Sequence, residues 1–140
     1  MVGAILAIGS EALKKRVVPP VLAGEKLLSL AVTEPSGGSD VAALKTTAVK
    51  KGNKYIVNGS KTFITGGTRA DFYVTAVRTG GPGPSGISLL LLEKGMKGLE
   101  HTKLRKMGWH CSDTATLYFD NVEVPEENLI GPEGGAFIGM

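Results

Sequence analysis

Thr46-Thr47-Ala48-Val49-Lys50-Lys51-Gly52-Asn53-Lys54-Tyr55-Ile56-Val57-Asn58-Gly59-Ser60-Lys61-Thr62-Phe63-Ile64-Thr65-Gly66-Gly67 reads as three β segments set between turns. Thr46–Lys50 and Tyr55–Val57 flank Gly52-Asn53, a hairpin signal. Asn58-Gly59, ahead of Lys61–Thr65, is a stronger one, and Gly66-Gly67 closes the run. The same grain continues outward. Leu28–Thr33 is a short apolar run, followed by the loop Glu34–Asp40. On the other side Phe72–Arg78 alternates, with Phe72, Val74 and Ala76 on one face and Tyr73, Thr75 and Val77 on the other. Gly80–Gly86 is a Gly/Pro loop, and Ile87–Leu92 is almost wholly apolar, the pattern of a central strand. Leu99–Leu104, Thr114–Phe119 and Val122–Val124 complete the set. Seven or eight short strands at this spacing predict a mainly β fold, a small barrel or sandwich.

The ends differ from the middle. Residues 1 to 16 read as helix: Ile5, Leu6, Ile8, Ala12 and Leu13 recur near helical spacing, and Lys14, Lys15 and Arg16 suit a helix C-terminus. Pro19-Pro20 is the expected stop. Pro125–Gly131 leaves the last strand, and Gly134–Met140 begins an apolar stretch. A chain that starts in a helix and ends entering another element is expected to be a domain of a longer protein.

Composition narrows the function classes. A length of 140 residues suits one domain, and 42% apolar with 21% charged residues excludes a disordered chain. Gly (20) and Pro (7) are plentiful, as a turn-rich β architecture requires. The net charge of +3 is too small to point to nucleic acid. Between Ala31 and Arg78 seven basic residues face three acidic ones; from Thr79 onward it is five against eight. That bias fits either a phosphate-bearing ligand or a solvated sheet face. Cys111 is the only cysteine, so no internal disulfide forms and nothing requires an oxidising compartment. With only His101 and His110 and no Cys cluster, no metal site is expected. No apolar run reaches the roughly 18 residues of a membrane span, and Met1–Ser10 lacks the basic start of a signal peptide. Bacterial cytoplasm or an organelle matrix is the expected location.

Three segments hold side chains suited to chemistry. In Ala31-Val32-Thr33-Glu34-Pro35-Ser36-Gly37-Gly38-Ser39-Asp40 a strand end delivers the Thr33 hydroxyl into a loop whose glycines allow close backbone approach. Ser39 and free N–H groups there could hold a phosphate or a polar ring edge, or the segment could be a plain turn. In Lys61–Gly66, Phe63 and Thr65 share a strand face, where an aromatic plane and a hydroxyl could meet a flat heterocycle; core packing and a solvated Thr explain them more simply. In Met107–Thr114, Ser112 and Asp113 could cap a turn, and Trp109 could be core. His110 and Cys111 are adjacent on a strand, point to opposite faces, and make no catalytic pair. Glu34 and Asp40 suggest paired carboxylates, but a loop leaves their separation undefined.

These segments together resemble the acyl-CoA dehydrogenase family. Ala31–Ala43 is similar to that family's Thr-Glu-Pro-x-x-Gly-Ser-Asp loop, and Asn58–Thr65 to its Asn-Gly-x-Lys-x-Trp-Ile-Thr strand. Met107–Thr114, Phe119–Pro125 and Asn128–Gly131 resemble its Gly-x-x-x-Ser-Asp-Thr and Phe-x-x-Val-x-Val-Pro-x-x-Asn-Leu-Leu-Gly segment. The resemblance implies a middle β-barrel at 27–131, with 1–26 the tail of an N-terminal helical domain and 132–140 the start of a C-terminal helical one. It implies FAD as cofactor, with Leu30, Ala31, Val32, Thr33, Ser39, Phe63, Ile64 and Thr65 lining it. Ser39, Ser112, Asp113, Thr114 and Ala115 would contact acyl-CoA.

The implied reaction oxidises acyl-CoA to trans-2-enoyl-CoA, as in fatty-acid β-oxidation. Electrons would pass to an electron-transfer flavoprotein, and the parent enzyme would be a homotetramer. Location in the bacterial cytoplasm or mitochondrial matrix follows. The catalytic carboxylate would come from the C-terminal helical domain, so no catalytic residue is assigned here and the chain alone is expected to be inactive. Phe63 stands where the family usually has Trp, and Ala115 where short- and medium-chain members often have Arg. An acyl-CoA oxidase, a flavin monooxygenase of the same superfamily, or a non-catalytic barrel fragment remain open alternatives.

Overall fold

The hairpin expected at Gly52-Asn53 forms. Lys51 pairs with Lys54 across it, joining β2 (Thr47–Lys51) to β3 (Lys54–Thr65), and Gly52 takes the left-handed conformation at φ 63° that the turn needs. This computed structural model describes residues 2–140, so the part of the expected helix at Met1 lies outside the described residues.

Asn58-Gly59 does not turn the chain. β3 runs through it as one 12-residue strand, antiparallel to β7 (Thr114–Pro125), which joins two segments the sequence reading kept apart. The register shifts instead: Val57 faces Val122, but Gly59 faces Phe119. Two β7 residues, Asp120 and Asn121, therefore oppose Asn58 alone, a β-bulge with Asn121 at φ 50°. Asn58 clamps it through both amide atoms, accepting from the Asn121 N–H at 2.8 Å and donating to Asn121 Oδ1 at 3.1 Å. A second shift lies between Lys61 and Ile64, where Thr62 and Phe63 oppose Thr116 and Phe63 sits at φ 57°. The extra residue there turns Phe63 outward and leaves Lys61 and Thr62 both buried.

The remaining strands are β1 (Leu28–Ala31), β4 (Phe72–Arg78), β5 (Ile87–Glu93), β6 (Leu99–Lys103) and β8 (Leu129–Ile130). Together they make one eight-stranded sheet in the order β6-β7-β3-β2-β4-β5-β8, with β1 added in parallel to β4. The fold is mainly β, as expected. The two end strands, β6 and β8, do not pair with each other, so the sheet is open rather than a closed barrel. It curls round an inner core in which Tyr55, Val57 and Ile64 of β3 and Leu117, Val122 and Val124 of β7 pack with Tyr73, Val77, Leu90 and Leu92 of β4 and β5.

The outer face of β4–β5 carries a second core. Phe72, Val74, Ala76, Ile87, Leu89 and Leu91 lie under Ile5, Leu13, Val17 and Val18. Those four come from α1 (Val2–Ile8) and α2 (Glu11–Leu22), and α3 (Ala136–Gly139) adds Ala136. The alternation read in Phe72–Arg78 is therefore real, but both of its faces are covered. The single expected helix is two, because Ser10 accepts from the Leu13 N–H at 3.2 Å and caps a fresh start. Pro19-Pro20 does not end α2, which continues to Leu22. Buried Val17 and Val18 anchor the turn, and the proline carbonyls accept from Ala23 and Glu25 at 3.0 and 2.9 Å.

Candidate functional site

Glu34 organises the loop after β1. Its side chain is 4% exposed, and its carboxylate accepts the N–H groups of Lys45 and Thr46 at 2.5 and 2.8 Å and the Lys61 ammonium at 3.0 Å. Burial works to raise its pKa, but the hydrogen bonds from Thr46 and Lys45 and the Lys61 charge outweigh that and hold it below the ordinary value. Lys61, 0% exposed, is shifted down by burial against the opposing pull of Glu34. Glu34 is thus a fully engaged structural carboxylate and not a proton acceptor. Asp40 is exposed and shares none of these partners, so the two acidic groups form no pair.

The same lysine reaches the Val32 carbonyl at 2.9 Å, and the Thr62 N–H donates to the Thr33 carbonyl at 2.8 Å. Loop and β3 are stitched side by side. Both carbonyls point toward β3, while among the described residues the N–H groups of Val32 and Thr33 have no acceptor. Next to them Phe63 is 68% exposed and Thr65 also faces out, on one face as the spacing predicted. Ser29 Oγ fixes this end of β3 by donating to the Thr65 carbonyl at 2.8 Å. Leu30 is exposed, Val32 half-buried, and Ser39 exposed beyond Gly38, which packs on Thr33. Ala31 and Ile64 have buried side chains and offer a ligand only backbone.

The residues expected to contact acyl-CoA separate. Asp113 turns its carboxylate inward. It accepts from the Thr68 N–H at 2.9 Å, Thr68 Oγ1 at 2.5 Å and Arg69 Nε at 2.7 Å. Burial raises its pKa, yet these bonds and the Arg69 charge carry it down to about 2. Thr114 and Ala115 are buried in β7, and Ala115 packs on Gly67 so closely that a Cβ there would lie 2.7 Å away. Ser112 alone of these four is half-exposed. It lies in a loop held by Lys106, whose ammonium donates to the carbonyls of Trp109 and Ser112, and which leaves Trp109 78% exposed rather than in the core. His110 and Cys111 are both exposed in the same loop and make no pair.

Lys61 and Arg78 are site-building residues that the sequence reading gave no role. Lys61 lies two residues on from Gly59 and four from Val57, in the inward phase of β3, and a lysine in a core position calls for a buried partner. Arg78 donates from Nε to the Leu44 carbonyl at 3.0 Å and from its terminal nitrogens to the carbonyls of Ala42, Gly81 and Gly83. It ties the 41–45 turn to the 80–86 loop and walls a cavity of 640 Å³ between them. No strand pattern signals that role.

A flavin is a flat heterocycle with an acceptor-rich pyrimidine edge. Two unpaired N–H groups beside an exposed aromatic ring and two hydroxyls fit that chemistry. Comparison with known proteins points the same way. Residues 29–122 match the family model described as acyl-CoA dehydrogenase, middle domain. The chain is 48% identical to bovine (Bos taurus) mitochondrial isobutyryl-CoA dehydrogenase over 131 residues, covering 93% of this chain and 32% of that one. It is 47% identical to an acyl-CoA dehydrogenase of Bacillus subtilis, covering 95% and 36%. The crystal structure of a probable acyl CoA dehydrogenase from Mycobacterium abscessus superposes with a TM-score of 0.95 at 57% identity, over 97% of this chain and 36% of that one. The chain belongs to the acyl-CoA dehydrogenase family and carries its middle domain. It spans 32% and 36% of the length of the two curated relatives.

Proposed function

We propose that this domain is the flavin seat and one wall of the thioester cleft of an enzyme that oxidises acyl-CoA to trans-2-enoyl-CoA. One observation carries the reading: unpaired Val32 and Thr33 N–H groups stand beside outward-facing Phe63 and Thr65. When bound, FAD would supply the hydride acceptor for the oxidation of the thioester. The chain's own part is to bind and orient. Val32 and Thr33 would hold the pyrimidine edge of the flavin through their N–H groups, and Phe63 and Thr65 would flank the ring. Ser39 reaches the diphosphate and the pantetheine side of the substrate, and Ser112 with the Thr114 backbone faces acyl-CoA. Leu30 shields the ring, and Ala31, Ile64 and Ala115 contribute backbone and shape.

Glu34 is committed to Lys61, Lys45 and Thr46, so the α-proton goes to a carboxylate supplied from outside this chain. In this reading 1–26 belongs to a preceding helical domain, 27–131 is the seat, and 132–140 leads into a following helical domain. The parent enzyme is a homotetramer that passes electrons to an electron-transfer flavoprotein in bacterial cytoplasm or mitochondrial matrix. No described helix is long and apolar enough to cross a membrane. An oxidase parent is told apart by rapid oxygen consumption of the reduced whole enzyme.

The test is an absorbance and fluorescence titration of the purified chain with FAD. A shifted flavin band with quenched emission, weakened about tenfold by Thr33→Val or Phe63→Ala, is the expected result. An unshifted spectrum at saturating FAD counts against the seat.

A further inference from the structure

Lys61 bonds a peptide group whose other end is the unpaired Thr33 donor. A peptide unit is planar and trans, so its C=O and N–H point in opposite directions. The Val32 carbonyl and the Thr33 N–H belong to one such unit. The buried ammonium donates to the carbonyl at 2.9 Å, which leaves the Thr33 N–H directed away from Lys61, and it has no acceptor among the described residues. A cation on a carbonyl oxygen withdraws electron density through the amide and makes the far N–H a stronger donor, and chains of hydrogen bonds reinforce one another in this way. The next peptide is fixed as well: its carbonyl accepts from Thr62 and its Glu34 N–H donates to Gly37 at 3.1 Å. The unit therefore has little freedom to rotate its donor away.

Burying an ammonium costs several kcal/mol even when paired, and an apolar pair in its place is often neutral or stabilising. Fold stability is therefore a weak reason for keeping a charge there. We propose that Lys61 is a positioning residue that polarises the Val32–Thr33 peptide, so that the Thr33 N–H stabilises negative charge on the pyrimidine edge of a reduced flavin. This rests on the flavin-seat reading. Glu34 holds the ammonium in place and keeps the pair neutral overall, so the effect is a directed dipole rather than a net charge.

The test compares the wild-type chain with the double variant Lys61→Met/Glu34→Gln, which leaves no buried charge unpaired, each first shown to be folded by a cooperative melt. Two readouts are taken. In the flavin-free proteins, the Thr33 amide nitrogen and proton resonances are expected to move upfield in the variant while those of β5 stay put. In the FAD-loaded proteins, the preference for reduced over oxidised flavin is expected to fall about tenfold, which lowers the two-electron midpoint potential by about 30 mV. A purely structural role shifts amides around Lys61 and Glu34 but leaves the potential where it is. An unmoved Thr33 amide overturns the proposal, and so does a moved amide with an unchanged potential; in both cases wild-type flavin binding leaves the seat reading intact. A wild-type chain that binds no FAD overturns the seat reading and the proposal with it.

Discussion

Two buried carboxylates show how single residues hold this surface. Glu34 pairs with Lys61 where neither side chain reaches water. Glu34→Gln alone strands the ammonium, and we expect a loss of about 3–5 kcal/mol, read from urea unfolding. Lys61→Met/Glu34→Gln should recover part of it, because a glutamine offers one acceptor to the two N–H groups of Lys45 and Thr46. Asp113 pins the Gly66–Ala70 turn through Thr68 and Arg69. Its folded pKa of about 2 lies below the ordinary 3.8, so its contribution is complete above the ordinary value and fades as the pH falls through the folded one. The shift is worth about 2 kcal/mol. Asp113→Asn should cost that much at pH 7 by urea midpoint, and variant and wild type should converge near pH 2. An unchanged gap at pH 2 would show that the loss is not ionic.

At the level of elements, what was legible follows the physics of each signal. The Gly52-Asn53 turn was readable because only local geometry decides it. Asn58-Gly59 carries the same dipeptide chemistry but sits opposite β7, and pairing across Tyr55–Val57 and Ser60–Lys61 outweighs the local preference to reverse. Gly59 takes φ 143° there, and a Cβ would lie 2.5 Å from Thr46 Oγ1 and 2.8 Å from its Cα. Gly59→Ala should therefore destabilise the chain by about 1–3 kcal/mol, checked by thermal unfolding. Prolines mislead in the same way: Pro19-Pro20 is a stop only where no packed face holds the turn together, and Val17 and Val18 hold this one. At the site, Phe63 and Thr65 were visible as an exposed aromatic–hydroxyl pair, with half-buried Thr33 at the end of the loop beside them. The inward orientation of Asp113 was not, because it depends on the 66–70 turn folding over β7. Nor was the Arg78 clamp, since its partners are all backbone carbonyls.

For the whole molecule, several large apolar side chains are exposed. Leu22, Phe137 and Ile138 are exposed beside the helices, and Phe63, Met107 and Trp109 beside the site. Such patches favour association, so light scattering should show a mass above 14.6 kDa that rises with concentration. A single mass at every concentration would contradict it. The placement of β4 and β5 between two separate cores has a further consequence, for the timescale on which the backbone opens. Every apolar side chain on these strands is buried, so neither face can loosen without breaking one core, and their amides can meet solvent only when the entire chain comes apart. In deuterated buffer, amide protons from Tyr73 to Val77 and Leu89 to Leu92 should be the last to vanish, all at one rate set by global unfolding. Those of the 80–86 loop that joins the two strands should be gone long before.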